Sequence, residues 1–164
     1  MLISVDTNVL LDLALKTDAV VDAISTVRKR LKKVRLIVPP TVLQELAFLH
    51  QCGETEKHRQ TALEALLGLE GWGIEPLNLV PVGHGIAERI SDELCHKGIL
   101  PIEERNDALI LTESALMECN MFVSADSHLR GIDFQRLQLL LQDFDLSAPV
   151  IATPREIVHK FFRA

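Results

Sequence analysis

Residues 1 to 8 read Met1-Leu2-Ile3-Ser4-Val5-Asp6-Thr7-Asn8, an apolar run that stops on a carboxylate. The run lacks the polar alternation of a half-exposed strand, so it reads as a strand covered on both faces, as in a parallel sheet flanked by helices. Asp6 then falls at the strand tip. Arg35-Leu36-Ile37-Val38 and Met121-Phe122-Val123-Ser124-Ala125 share the pattern, and the second also stops on a carboxylate, Asp126.

Working outward, apolar strand-like runs at 2–5, 34–38, 78–82, 120–125 and 149–152 are separated by segments with helical spacing. Those segments place helices near 8–15, 18–32, 41–51, 55–69, 84–97, 103–118, 133–142 and 154–162. This βα alternation predicts an α/β fold with a parallel sheet. Gly71-Trp72-Gly73 with Pro76 marks a loop before the third strand. No linker, repeat or low-complexity stretch divides the chain, and 164 residues with 48% hydrophobic content suit one domain over 1–164.

Seventeen basic against 23 acidic residues give a net charge of −6, which argues against coating nucleic acid by bulk attraction. Six of the 17 positive charges nevertheless sit at Arg28, Lys29, Arg30, Lys32, Lys33 and Arg35. That run is either a solvated helix end suited to the C-terminal dipole or a patch for RNA phosphates. Cys52, Cys95 and Cys119 make an odd count without a Cys-x-x-Cys pair, which fits neither a disulfide framework nor a zinc ribbon and implies a reducing compartment. Asp6 comes too early for a signal peptide, and no window approaches the ~18 apolar residues of a membrane span. The expectation is a soluble, cytoplasmic protein with no membrane partner. A mean hydropathy of +0.19 suggests a buried subunit interface.

Four acids fall at predicted strand ends or helix openings: Asp6, Glu45, Asp107 and Asp126. Ligands of an open parallel sheet gather at the carboxyl ends of its strands. Asp6 and Asp126 each also read as a helix cap. Thr41 and Gln44 form a predicted capping pair after Pro39-Pro40, leaving Glu45 one turn inside its helix, on a face with Val42 and Leu49 or at a solvated boundary. Asp107 follows Pro101, Glu103 and Glu104, the ordinary acids of an opening turn, and aligns with Ile110, Leu111 and Ser114. Acids gathered at one edge all stay ionised only if a cation joins them. Oxygen-only ligands select Mg²⁺ or Mn²⁺ over zinc, and two such ions ~3.5–4 Å apart suit in-line displacement at a phosphodiester.

Asp6-Thr7-Asn8, Glu45 in Pro-Thr-Val-Leu-Gln-Glu-Leu, Asn106-Asp107-Ala108-Leu109-Ile110 and Ser124-Ala125-Asp126 together resemble the PIN domain family of nucleases, in order and in spacing. The likeness runs from Met1 to about Phe162. It implies a three-layer α/β/α sandwich with a central parallel sheet of about five strands, and Mg²⁺- or Mn²⁺-dependent cleavage of RNA. Asp6, Glu45, Asp107 and Asp126 would then be the catalytic, metal-binding acids, supported by hydrogen bonds from Thr7, Asn8 and Ser124. Many bacterial members are VapC-type toxins, homodimers restrained by a small antitoxin protein, so both partners are expected with the RNA substrate. This chain is longer and more acidic than is typical of those toxins.

Two rivals are set beside this reading. A phosphatase of the haloacid dehalogenase type also places Asp after its first strand but wants a second Asp two residues on, where Asn8 stands. A catalytically silent PIN-fold module would instead act through RNA or protein contacts. No phosphate loop is present, Gly83-His84-Gly85 lacks the third glycine of a dinucleotide fingerprint, and the six histidines show no His-Glu-x-x-His pattern. They read as surface or interface residues; His128 and Arg130, just beyond Asp126, are candidate phosphate contacts.

Overall fold

The computed structural model describes residues 1–162, in which strands and helices alternate as the apolar runs require. The strands are β1 (Leu2–Val5), β2 (Arg35–Val38), β3 (Ile74–Pro76), β4 (Met121–Val123) and β5 (Val150–Ala152). They form one sheet in the order β3-β2-β1-β4-β5, with every pairing parallel. Ile3 lies level with Leu36 and Met121, Leu36 with Ile74, and Phe122 with Ile151. The chain moves outward from β1 through β2 to β3, then crosses back to place β4 on the other side of β1. Strand order therefore reverses between β1 and β4, where a crevice opens at the carboxyl ends.

The helices are α1 (Thr7–Ala14), α2 (Asp18–Arg30), α3 (Pro40–Cys52), α4 (Glu56–Gly68), α5 (Pro81–His96), α6 (Arg105–Leu116), α7 (Ser127–Arg130), α8 (Phe134–Gln142) and α9 (Pro154–Phe162). A short 3₁₀ turn, Ile102–Glu104, precedes α6. The central strands are buried on both faces: Ile3, Val5, Ile37, Val38 and Phe122 have no exposed surface. Contacts link α5 with α6 and α8, and α1 with α2 and α4, while α2 packs on α9. Among the described residues, no helix is long and apolar enough to cross a membrane.

The third strand is displaced from its expected place. Instead of 78–82 it occupies Ile74–Pro76, because Gly73, at φ +58°, turns the chain directly out of α4 into the sheet. Pro76 is tolerated there because β3 is an edge strand. The apolar run 78–82 instead leads into α5, with Pro81 in its first turn and Val80 and Val82 71% and 73% exposed. Composition alone made this run look like a strand. The one-turn helix α7 is a further departure, too short for periodicity to register.

Ile74→Ala is expected to cost about 2–5 kcal/mol in urea unfolding. Val82→Ser should stay within about 0.5 kcal/mol. Equal losses at the two positions would contradict the observed strand.

Candidate active site

Asp6 ends β1 and caps α1, its Oδ1 accepting the Thr7 N–H at 2.7 Å. Its other oxygen accepts from Ser124 Oγ at 2.5 Å and Asn8 Nδ2 at 2.6 Å. Asn8 turns its carbonyl to the Ala125 N–H at 3.0 Å, and Ser124 Oγ accepts the Asp126 N–H at 3.0 Å. The three residues expected to support the site thus stand in direct contact with the acids, since Thr7 Oγ also donates to Glu45 Oε2. Asp6 is 2% exposed, and burial is the main reason its pKa rises from 3.8 to about 6. The Glu45 charge adds to the rise, while the Ser124, Thr7 and Asn8 donors oppose it.

Glu45 reaches the site through an arrangement that differs from the expected capping pair. Pro39 occupies the α3 cap position without a side-chain bond, and Thr41 faces inward. Glu113 of α6, 2% exposed, accepts the Thr41 N–H at 3.0 Å and the Thr41 hydroxyl at 2.9 Å. A carboxylate from another helix therefore serves the α3 N-terminus, matching its positive end. Burial raises the Glu113 pKa, and both Thr41 donors act against that rise. One turn along, Asn106 Nδ2 donates to Glu45 Oε1 at 3.1 Å. Thr41 opposite Glu113 and Glu45 opposite Asn106 mean that α3 and α6 run antiparallel, clamped at two points.

Sequence reasoning passed over Glu113, yet a signal existed. Ala108-Leu109-Ile110-Leu111-Thr112 before it and Ser114-Ala115-Leu116 after it are apolar or small, and a charge buried in such a stretch needs a partner. Glu104, by position an ordinary acid of an opening turn, lies 2.9 Å from His128 Nδ1, and its charge reaches Asp107.

Asp126 follows β4 across the crevice from Asp6. Its Oδ1 accepts the His128 and Leu129 N–H groups at 2.7 and 3.2 Å, so the cap reading holds for it too. His128, 3.9 Å from that carboxylate, engages Glu104, and Arg130 pairs with Glu156 through Nε at 2.8 Å. Both candidate phosphate contacts beyond Asp126 thus have carboxylate partners. The Asp107 carboxylate accepts no hydrogen bond among the described residues. Its pKa rises from 3.8 to about 7, first through burial and then through the charges of Asp6, Asp126, Glu104 and Glu45.

All four predicted acids therefore meet at the crevice, whereas the basic run does not. Arg28, Lys29 and Arg30 end α2, and Lys32 and Lys33 precede β2, at the opposite end of the sheet. Arg28 donates to the carbonyls of Trp72 and Gly73 there. A cavity of about 850 Å³ between β5 and α9 is lined by none of the four acids; one of about 600 Å³ between α3 and α6 is lined by Glu45.

A hard divalent cation fits the oxygen-only donor set and the mutual repulsion at Asp107. Among the described residues, however, no three His, Cys, Asp or Glu side chains converge into a finished chelating group. Asp6 Oδ1 and both Glu45 oxygens accept one hydrogen bond each and keep a lone pair for a cation, while the Asp107 carboxylate is the one most free to turn.

With chelator present, Asp6 and Asp107 bind protons more tightly folded than unfolded, their pKa values being about 6 and 7 against 3.8. Their contribution favours folding below about pH 4 and is lost as pH rises through about 6 to 7. Asp107→Asn should raise the wild-type Tm at alkaline pH and flatten its pH dependence, a gain on the order of 1–2 kcal/mol after allowing for solvent screening. A lower Tm for the variant at alkaline pH would contradict the crowding. Glu113→Ala should cost roughly 3 kcal/mol, because two buried Thr41 donors lose a charged acceptor. A double-mutant cycle with Thr41→Val should show coupling of about 1 kcal/mol or more; additivity would contradict the contact.

No family model and no curated protein matches the chain. Among solved structures, it is similar to the crystal structure of VapBC2 from Rickettsia felis bound to a DNA fragment from their promoter. The identity is 15%, the TM-score 0.62, and the match covers 93% of this chain and 98% of that one. At this identity the likeness establishes a shared fold, a helix-rich α/β architecture around a five-stranded parallel sheet.

Proposed function

We propose that the chain is a metal-dependent ribonuclease of the PIN type. The observation that carries this reading is the meeting of Asp6, Glu45, Asp107 and Asp126, from four separate segments, at the crevice where strand order reverses. The fold shared with VapBC2 supports it. The finer reading, a VapC-type toxin that forms a homodimer and is restrained by an antitoxin, rests on the sequence resemblance, with which the shared fold agrees. Three unpaired cysteines, Cys52 exposed and Cys95 and Cys119 buried, suit a reducing cytoplasm.

In this reading Asp6, Asp107 and Asp126 hold Mg²⁺ or Mn²⁺, with Glu45 completing the set. A bound ion would supply water activation and neutralise charge at the scissile phosphate. Ser124 and Asn8 fix Asp6, and Asn106 and Thr7 fix Glu45, so the acids enter the reaction already oriented. Asp107, unbound by neighbours, is the acid that adjusts.

The second reading is the silent binding module, which keeps the fold and acts through RNA or protein contacts. The phosphatase alternative finds no support at Asn8, whose amide is committed to Asp6 and Ala125 and supplies no acid.

The test is incubation of mixed single-stranded and structured RNA with the purified chain, in Mg²⁺ or Mn²⁺ and in chelator. Asp107→Asn is the informative variant because it removes a charge without removing a hydrogen bond, whereas Asp6→Asn also disturbs Ser124 and Asn8. Cleavage should require the metal and fall at least about a hundredfold in both variants. Cleavage that persists in chelator would overturn the metal reading; no cleavage at all would favour the module.

A further inference from the structure

We infer that the groove between α3 and α6 is a nucleobase subsite, in which an unpaired base of the RNA stacks on Phe48; this rests on the ribonuclease reading above. The groove, of about 600 Å³, is lined by Gln44, Glu45, Phe48, Arg105, Asn106 and Leu109, among others. Glu45 and Asn106, hydrogen-bonded to each other, border the acid site as well, so the groove adjoins it.

The antiparallel clamp makes this groove. Phe48 and Leu49 lie three and four residues beyond Glu45 on α3, and Leu109 lies three beyond Asn106 on α6, so all share the opposed helix faces. Leu49 and Leu109 are half-buried and give an apolar floor. Phe48 is 64% exposed, an uncommon placement in a chain with 4% aromatic residues. The Gln44 amide and Asn106 Oδ1 form no hydrogen bond among the described residues and can read a base edge. Arg105 donates through Nε to Asp92 at 2.9 Å, leaving its terminal nitrogens for a phosphate oxygen. An aromatic face, amides and a guanidinium beside a phosphodiester-cleaving site are the chemistry that takes an unpaired nucleotide. Paired bases cannot enter, because each would have to leave its stack.

The test is fluorescence anisotropy with labelled short single-stranded RNA in chelator, so that binding is read without cleavage. Phe48→Ala should weaken binding about 5- to 150-fold, the range for losing one stacked base. Phe48→Tyr should restore it, and Leu67→Ala, exposed on α4 outside the groove, should match the wild type. An abasic strand should bind the wild type and Phe48→Ala alike. Unchanged affinity in Phe48→Ala overturns the subsite, as does an equal loss on the abasic strand. A dimer that becomes monomeric in Phe48→Ala with RNA affinity unchanged assigns the ring to a contact between copies and also overturns it. Metal-dependent cleavage with no Phe48 dependence removes the subsite and leaves the nuclease reading. Phe48-dependent binding with no cleavage removes the nuclease reading and leaves the subsite, and no RNA binding by the wild type removes the subsite outright.

Discussion

Burying a carboxylate at the tip of the central strand is the constraint on which the rest of the molecule depends. Asp6, 2% exposed, is tolerable only because both oxygens accept hydrogen bonds. Its donors come from α1 and from the segment after β4, so satisfying one side chain also stitches the sheet together where strand order reverses. Asn8 carries the stitch further, bonding Asp6 with its amide and the Ala125 backbone with its carbonyl. The crevice is thereby held by the residues that line it.

The second element of control is distant from the crevice in sequence but set by the same rule. Helix α3 would leave its first N–H groups unserved after two prolines, and Glu113 supplies the acceptor from the neighbouring helix. This fixes where α3 begins against α6. Once Thr41 is fixed, Glu45 follows one turn later and meets Asn106 and Thr7. A buried charge in α6 therefore determines where an acid of the site lies, with no contact to the site itself.

How much of this was legible in the sequence depended on whether the signal was local. The strands 2–5 and 120–125 announced themselves as apolar runs ending on acids, and the parallel sheet followed. The run 78–82 misled, because continuous apolar character does not distinguish a strand from an exposed approach to a helix, and Gly73 had already turned the chain. The four acids were visible because each breaks an apolar context. The Thr41 capping pair was misassigned because its true partner, Glu113, lies 72 residues away. No local pattern encodes such a pairing. Likewise the opposite placement of the basic run follows from topology, since the end of α2 must lie where β2 begins.

What remains is a charge that the protein does not neutralise. Apart from His128, beside Asp126 and engaged with Glu104, the partners that hold the four acids are Thr7, Asn8, Asn106, Ser124 and backbone N–H groups, all neutral. The nearby guanidiniums are paired elsewhere, Arg105 with Asp92 and Arg130 with Glu156. Neutral donors fix geometry without cancelling charge, so the repulsion felt at Asp107 persists, with partial protonation there as its relief. A cluster serving stability alone would gain from a lysine or arginine in its midst. Leaving the deficit open lowers stability at neutral pH and leaves a negative potential at the crevice.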